Sequence, residues 1–188
     1  MEDPAKANSV PVVGRRALHT RRIEMTGYER DDGLYEVEGR LRDTKTTLFK
    51  KGDGSILQPG EPIHQMWIRL VYDEQMLVHD VLSGTEFAPY AECSNAPASL
   101  QKLRGLSMKA GWCQEIRSRL GGALGCTHLT QMLQPMATTA FQTLSRIRLS
   151  KPAPLDPSGR PDKIDSCWTF SAEGDVVKQR WPRFARSE

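Results

Sequence analysis

A cysteine and a histidine two residues apart, Cys126 and His128, are the first residues of this chain that suggest chemistry. They follow the glycine-rich stretch LGGALG and precede an apolar segment with helical spacing. Thr127 is predicted to be the N-cap, so both residues lie at the start of a helix. Unpaired N–H groups and the helix dipole favour negative charge there and stabilise a thiolate. Both metal binding and nucleophilic attack require a thiolate.

The Cys-x-His pair needs further ligands from distant segments, because a zinc site usually has four ligands. His64 lies at the start of a predicted strand, and Cys93 lies in the loop that leaves the next strand. These positions and the helix start can meet at one end of a sheet. The first hypothesis is therefore a mixed metal site made of His64, Cys93, Cys126 and His128. Sulfur and imidazole donors together favour zinc or iron, for catalysis or for metal or cluster handling.

Two other functions remain open. The chain is a metal-free enzyme if Cys126 is a nucleophile and His64 or His128 its base. It is an accessory module that binds another protein if these side chains only pack in the fold. The remaining histidines, His19 and His79, are predicted to be structural, with Cys113 in a helix core and Cys167 packed on a strand.

Two hairpins are predicted to hold the first half of the chain. Asp31-Asp32-Gly33 separates two extended runs, and Asp-Gly between such runs is typical of a tight turn. A second pair of alternating runs flanks residues 73–75. The pattern predicts an antiparallel sheet over residues 16–88.

Helices are predicted over residues 97–149, because apolar residues there recur at helical spacing. Pro135 is expected to kink or divide the longest helix. A proline-rich linker, residues 151–162, leads to a predicted terminal β-hairpin around Glu173-Gly174-Asp175. The fold class is α+β, with a flexible arm over residues 1–14 and one domain over residues 15–188.

Composition limits the partners. The chain has 188 residues and 38% hydrophobic content, with 26 basic and 23 acidic residues. This balance does not favour nucleic-acid binding, and no apolar run predicts a membrane span. The start of the chain lacks the pattern of a secretory signal, so a cytoplasmic location is expected. The four cysteines are expected to be thiols there. The partner that stays open is another protein.

Three motifs, GYERDDGLYEVEGRLRDTK, GEPIHQMWIRL and LGGALGCTHLTQMLQPMATTAFQT, occur in this order. Together they resemble an uncharacterised bacterial family, domain of unknown function 2889, from about Arg16 onward. That resemblance implies no activity. The order of His64, a hairpin, Cys93, Cys126 and His128 also resembles the layout of iron–sulfur scaffold proteins of the NifU and IscU type.

Overall fold

The computed structural model describes residues 13–152 and 154–186. Its main sheet has four antiparallel strands in the order β1-β2-β5-β6, and a small separate sheet pairs β3 with β4. The strands are β1 (His19–Glu29), β2 (Tyr35–Lys45), β3 (Phe49–Lys50), β4 (Ile56–Leu57), β5 (Pro62–Tyr72) and β6 (Val78–Phe87). The predicted α+β class with an antiparallel sheet is confirmed.

Both predicted hairpins are present, and their turns follow from local side chains. Gly33 has φ of 81°, the left-handed conformation that the turn between β1 and β2 requires. In the turn between β5 and β6, one oxygen of Asp73 accepts the N–H groups of Gln75 and Leu77. Met76 there has φ of 64° and a buried side chain, so packing holds a conformation that non-glycine residues seldom adopt.

The helical half starts with a 3₁₀ segment over Ala91–Leu103, of which only residues 97–103 lie in the range predicted to be helical. The α-helices are α1 (Trp112–Leu120), α2 (Thr127–Thr143), α3 (Ser145–Ser150) and α4 (Asp175–Arg180). Helix α2 continues through Pro135, and the break falls instead at Leu144. No helix in the two described ranges is both long and apolar enough to cross a membrane.

The chain divides into two compact units, Met1–Ala140 and Phe141–Glu188. In the first unit, α2 packs against the sheet. Its buried side chains are Leu129, Met132, Leu133, Met136 and Ala140. Two buried hydrogen bonds fix the helix. The Tyr72 hydroxyl donates to the Ala140 carbonyl at 3.1 Å, and the Trp112 indole donates to the Leu133 carbonyl at 3.1 Å.

The second unit has its own small core of Ile164, Ala172 and Val177. The prediction of a terminal β-hairpin is wrong, because this segment forms α4 between two 3₁₀ turns, Trp168–Phe170 and Pro182–Phe184. Gly174 is the N-cap of α4 rather than the tip of a turn. Val177, Trp181 and Phe184 are spaced by four and three residues, which is helical spacing that the glycine signal obscured.

Two cysteines do not lie where the sequence predicted. Cys113 and Cys167 are exposed, so neither packs as expected, although Trp112 beside Cys113 is buried. Most of the predicted arm, residues 1–12, lies outside the described residues. The single domain over residues 15–188 and the linker over 151–162 stay predictions.

We expect Gly121→Ala to destabilise the fold by about 1–3 kcal/mol, the usual cost of forced crowding. A Cβ at this position would lie 2.4 Å from the Arg117 carbonyl oxygen, and backbone cannot move aside cheaply. Gly14→Ala is the control, since its Cβ would meet nothing within 4 Å. Urea denaturation measures the free energy of unfolding of both variants. Equal stability of the two variants would contradict the assignment of Gly121 to a closely packed turn.

Candidate functional site

A carboxylate on the buried face of β2 is the centre of the candidate site. Every second residue of this strand faces the core, and the row of Tyr35, Val37, Gly39 and Leu41 ends at Asp43. The Asp43 side chain is 0% exposed. A buried ionised group needs charged or hydrogen-bonding partners, so its neighbours determine the chemistry of this end of the sheet.

Arg21 provides the main partner. It lies directly opposite Asp43 on β1, and its Nε and Nη2 donate to the two carboxylate oxygens at 2.7 and 2.6 Å. This is the bidentate geometry of a strong charge-assisted pair. The Nη1 of Arg21 also donates to Oε1 of Gln131 on α2, at 3.0 Å. His19, on the same strand, brings Nε2 to 3.4 Å from Oδ1 of Asp43.

His64 lies opposite Asp43 on the other side, on β5. Its Nδ1 is 3.0 Å from Oδ2 of Asp43, and its side chain is 15% exposed. The register shifts immediately beyond this pair, because Thr44 pairs with Pro62 and leaves Ile63 as an extra residue on β5. Such bulges redirect side chains and often lie beside functional sites.

Cys126 and His128 come from the start of α2. The Cys126 carbonyl accepts the N–H of Thr130 at 2.9 Å, so Cys126 is the N-cap of α2. The sequence analysis had predicted Thr127 for this position. The Cys126 sulfur is 3.9 Å from Nδ1 of His128. The His128 ring stacks on that of His64, with centroids 3.8 Å apart and planes tilted by 30°.

The structure therefore brings together three of the four predicted ligands. Within the described residues, a candidate metal-binding group comprises Asp43, His64 and His128, whose ligand atoms lie within 4.8 Å of one another. Cys126 adjoins this group through His128. Cys93 is not brought into it. It lies in the 3₁₀ segment beside β6, where its carbonyl accepts the Thr85 hydroxyl.

Charge and burial set the protonation states. Burial raises the pKa of Asp43, but hydrogen bonds and charge from Arg21, with a smaller contribution from His64, bring it below its ordinary value. Burial lowers the pKa of His64, and Asp43 only partly offsets this. Burial also lowers the pKa of His128, and the neighbouring His64 lowers it further. Both imidazoles are therefore neutral at pH 7, which is the form that binds metals or accepts a proton.

The hydrogen bonds assign distinct roles to these groups. Both oxygens of Asp43 already accept bonds from Arg21, so direct metal binding by this carboxylate would disrupt a bidentate ion pair. Its contact with Nδ1 of His64 leaves the Nε2 atom of that ring available. A carboxylate that orients a histidine in this way is a common support for metal ligands and for catalytic bases.

The sequence interpretation missed Asp43 and Arg21, and it assigned His19 only a structural role. The alternation of apolar residues along β2 could have identified Asp43, because this aspartate continues the row of core-facing residues. Arg21 likewise continues the series of Ile23 and Met25 on β1. A charged residue on the apolar side of a strand requires a partner, and the hairpin register would have identified Arg21.

Acid should destabilise the metal-free protein in two stages. Because the pKa values of His64 and His128 are lowered, the unfolded chain takes up protons that the folded chain does not, and the free energy of unfolding falls below about pH 6.5. The stabilisation from ionised Asp43 is complete above about pH 4 and is lost as the pH falls through its lowered pKa. Urea unfolding in EDTA at a series of pH values measures both stages. His64→Gln with His128→Gln should remove the first stage, and a flat wild-type profile below about pH 6.5 would contradict the assignment.

The family comparison covers the whole candidate site. A family model described as protein of unknown function, DUF2889, matches residues 19–142, from the start of β1 to one residue before the end of α2. No curated protein and no solved structure matches the chain. The bacterial origin and the similarity in layout to iron–sulfur scaffold proteins therefore stay predictions. The match includes every residue from His19 to His128 described above, and the chain belongs to the DUF2889 family of proteins of unknown function.

Proposed function

We propose that the protein binds a transition-metal ion through His64, His128 and Cys126, with Asp43 as the residue that positions His64. The proposal depends on one observation. Two imidazoles from different elements, β5 and α2, stack at a centroid distance of 3.8 Å beside a cysteine thiol. A metal bound there would link the sheet to the helix. Metal storage, delivery and catalysis are all compatible with such a site.

The donor atoms favour zinc or iron over magnesium or calcium, which prefer oxygen ligands. The distance of 3.9 Å between the Cys126 sulfur and Nδ1 of His128 is close to the roughly 3.5 Å that separates two ligands of a tetrahedral zinc ion. The stacked rings must rotate apart to direct one nitrogen each at the same ion. A fourth position remains for water.

The lowered pKa values of the imidazoles support His64 and His128 as metal ligands. Both oxygens of Asp43 already accept hydrogen bonds from Arg21, which supports Asp43 as a positioning residue. Neutral His64 and His128 do not need to lose a proton before they bind a metal. Arg21 neutralises Asp43, so the site gains an orienting acceptor without a net negative charge that would attract calcium or magnesium. Cys126 would bind as a thiolate and release its proton.

Untagged protein equilibrated with zinc should retain about one ion per chain, as measured by elemental analysis after dialysis. Cys126→Ser with His128→Ala should abolish retention, and so should His64→Ala. Asp43→Asn should weaken affinity by about 10–100-fold, the usual cost of losing a group that orients a ligand. Zinc should also raise the unfolding midpoint of the wild type, because it binds only the folded form.

Cys113→Ser and His79→Ala are matched controls, because they remove an exposed thiol and an imidazole outside the site. Both controls should retain zinc as the wild type does. Equal loss in a control and in the Cys126→Ser, His128→Ala variant would overturn the proposal, as would a wild type that retains no metal. A panel of zinc, ferrous iron, magnesium and calcium identifies the preferred ion.

A metal-free cysteine enzyme is the second candidate, and the contact between Cys126 and His128 favours it. In that case His128 would take the thiol proton, with Asp43 orienting the stacked His64 and favouring the charged His128 ring. Thiol labelling at neutral pH separates the two functions. The metal proposal expects zinc to protect Cys126 while Cys113 still reacts. Rapid labelling of Cys126 that zinc does not slow would favour the enzyme.

A further inference from the structure

The opposite face of β1 and β2 carries a second cluster that the candidate metal site does not use. On this outer face, Thr20 lies opposite Thr44, and Arg22 lies opposite Arg42. The two pairs are neighbours along the strands, because every second residue shares a face. They form a block of two guanidinium groups and two hydroxyl groups, which we call the outer basic cluster.

Arg22 and Arg42 are both exposed and face each other across the two strands. Like charges directly opposite in a sheet are destabilising. Other arginines on this face are neutralised, since Arg40 and Arg69 both pair with Glu38. Within residues 13–152 and 154–186, no carboxylate forms an ion pair with Arg22 or Arg42. Among the described residues, the repulsion between Arg22 and Arg42 therefore has no counter-charge in direct contact.

The outer basic cluster borders a concave space. A pocket of about 250 Å³ is lined by its four residues together with Gly60. An adjoining pocket of about 240 Å³ shares Arg22 and Arg42. The turn that carries Gly60 is fixed, since its N–H donates to the Lys45 carbonyl at 2.8 Å. Both guanidinium groups thus border a site with room for a small molecule.

We infer that the outer basic cluster binds a small phosphate-bearing molecule. Two guanidinium groups provide planar, forked donors that match phosphate oxygens, and the threonine hydroxyls add two further donors. A bound dianion would replace the repulsion between Arg22 and Arg42 with two attractions. The inference goes beyond metal binding and does not depend on it, because Arg21 and Asp43 point to the other face.

The charge of the surroundings favours a small anion over a nucleic acid. Glu24 and Glu86 line the adjoining pocket, and the ion-paired Glu38 lies on the same face. A polyanion laid along these strands would meet these carboxylates within a few residues of the arginines. A single phosphate or pyrophosphate group in the pocket of about 250 Å³ would meet Arg22, Arg42 and the two threonines, and no carboxylate of the described residues lines that pocket.

Calorimetric titration of the full chain with inorganic phosphate and pyrophosphate tests the inference. EDTA is included so that phosphate cannot bind through a metal. We expect saturable binding, and we expect Arg22→Gln with Arg42→Gln to weaken it by more than about tenfold, since two charge-assisted contacts are lost. Thermal unfolding gives a second readout. Pyrophosphate should raise the midpoint of the wild type and leave that of the double variant unchanged.

Arg117→Gln with Arg180→Gln is the control, because it removes the same charge from two exposed helical arginines. It should bind pyrophosphate as the wild type does. Absence of saturable binding, or equal weakening in the control, would overturn the inference. Binding of a mixed-sequence oligonucleotide without binding of pyrophosphate would also overturn it, because the cluster would then serve a polymer.

Discussion

The ion pair between buried Asp43 and Arg21 is the interaction on which the site depends. Moving a carboxylate out of water costs several kcal/mol, and only well-directed partners offset this cost. Arg21 contacts both oxygens, and His64 contacts one of them. Loss of Arg21 would leave the buried Asp43 charge without its main compensation, although the cost is smaller than for a fully buried pair because the Arg21 side chain is 34% exposed. The same bonds that keep Asp43 ionised therefore fix the geometry of β1, β2 and β5.

This ion pair also links the sheet to the helix that supplies the remaining chemistry. Arg21 extends from Asp43 to Gln131, one turn beyond His128 on α2. The start of α2 is set in turn by the glycine turn after α1, where Gly121 and Gly125 lie too close to backbone oxygens for a Cβ. Sheet, ion pair and turn thus hold the two imidazoles and the thiol together. A functional site assembled from strands and a helix in this way is better ordered than one on a loop.

Periodicity predicted the sheet, both hairpins and the main helices, because alternation and helical spacing are local properties of the sequence. It failed at the terminal segment, where a glycine was interpreted as a turn although it caps α4. Three predicted ligands did come together, since a strand start and a helix start meet at one end of the sheet. Asp43 was missed because its role comes from partners on two other strands. Cys93 was predicted as a ligand but is not brought into the site, because order along the chain does not determine which edge of a sheet a loop reaches.

We propose above that the histidines of β5 and α2 and the thiol of Cys126 bind one metal ion. X-ray absorption spectroscopy of the zinc-loaded wild-type protein tests this most directly, because it reports the ligands around the metal itself. We expect a four-coordinate zinc with one sulfur at about 2.3 Å and nitrogen or oxygen at about 2.0–2.1 Å, with outer-shell scattering from two imidazoles. A coordination shell without sulfur and without imidazole scattering would contradict it.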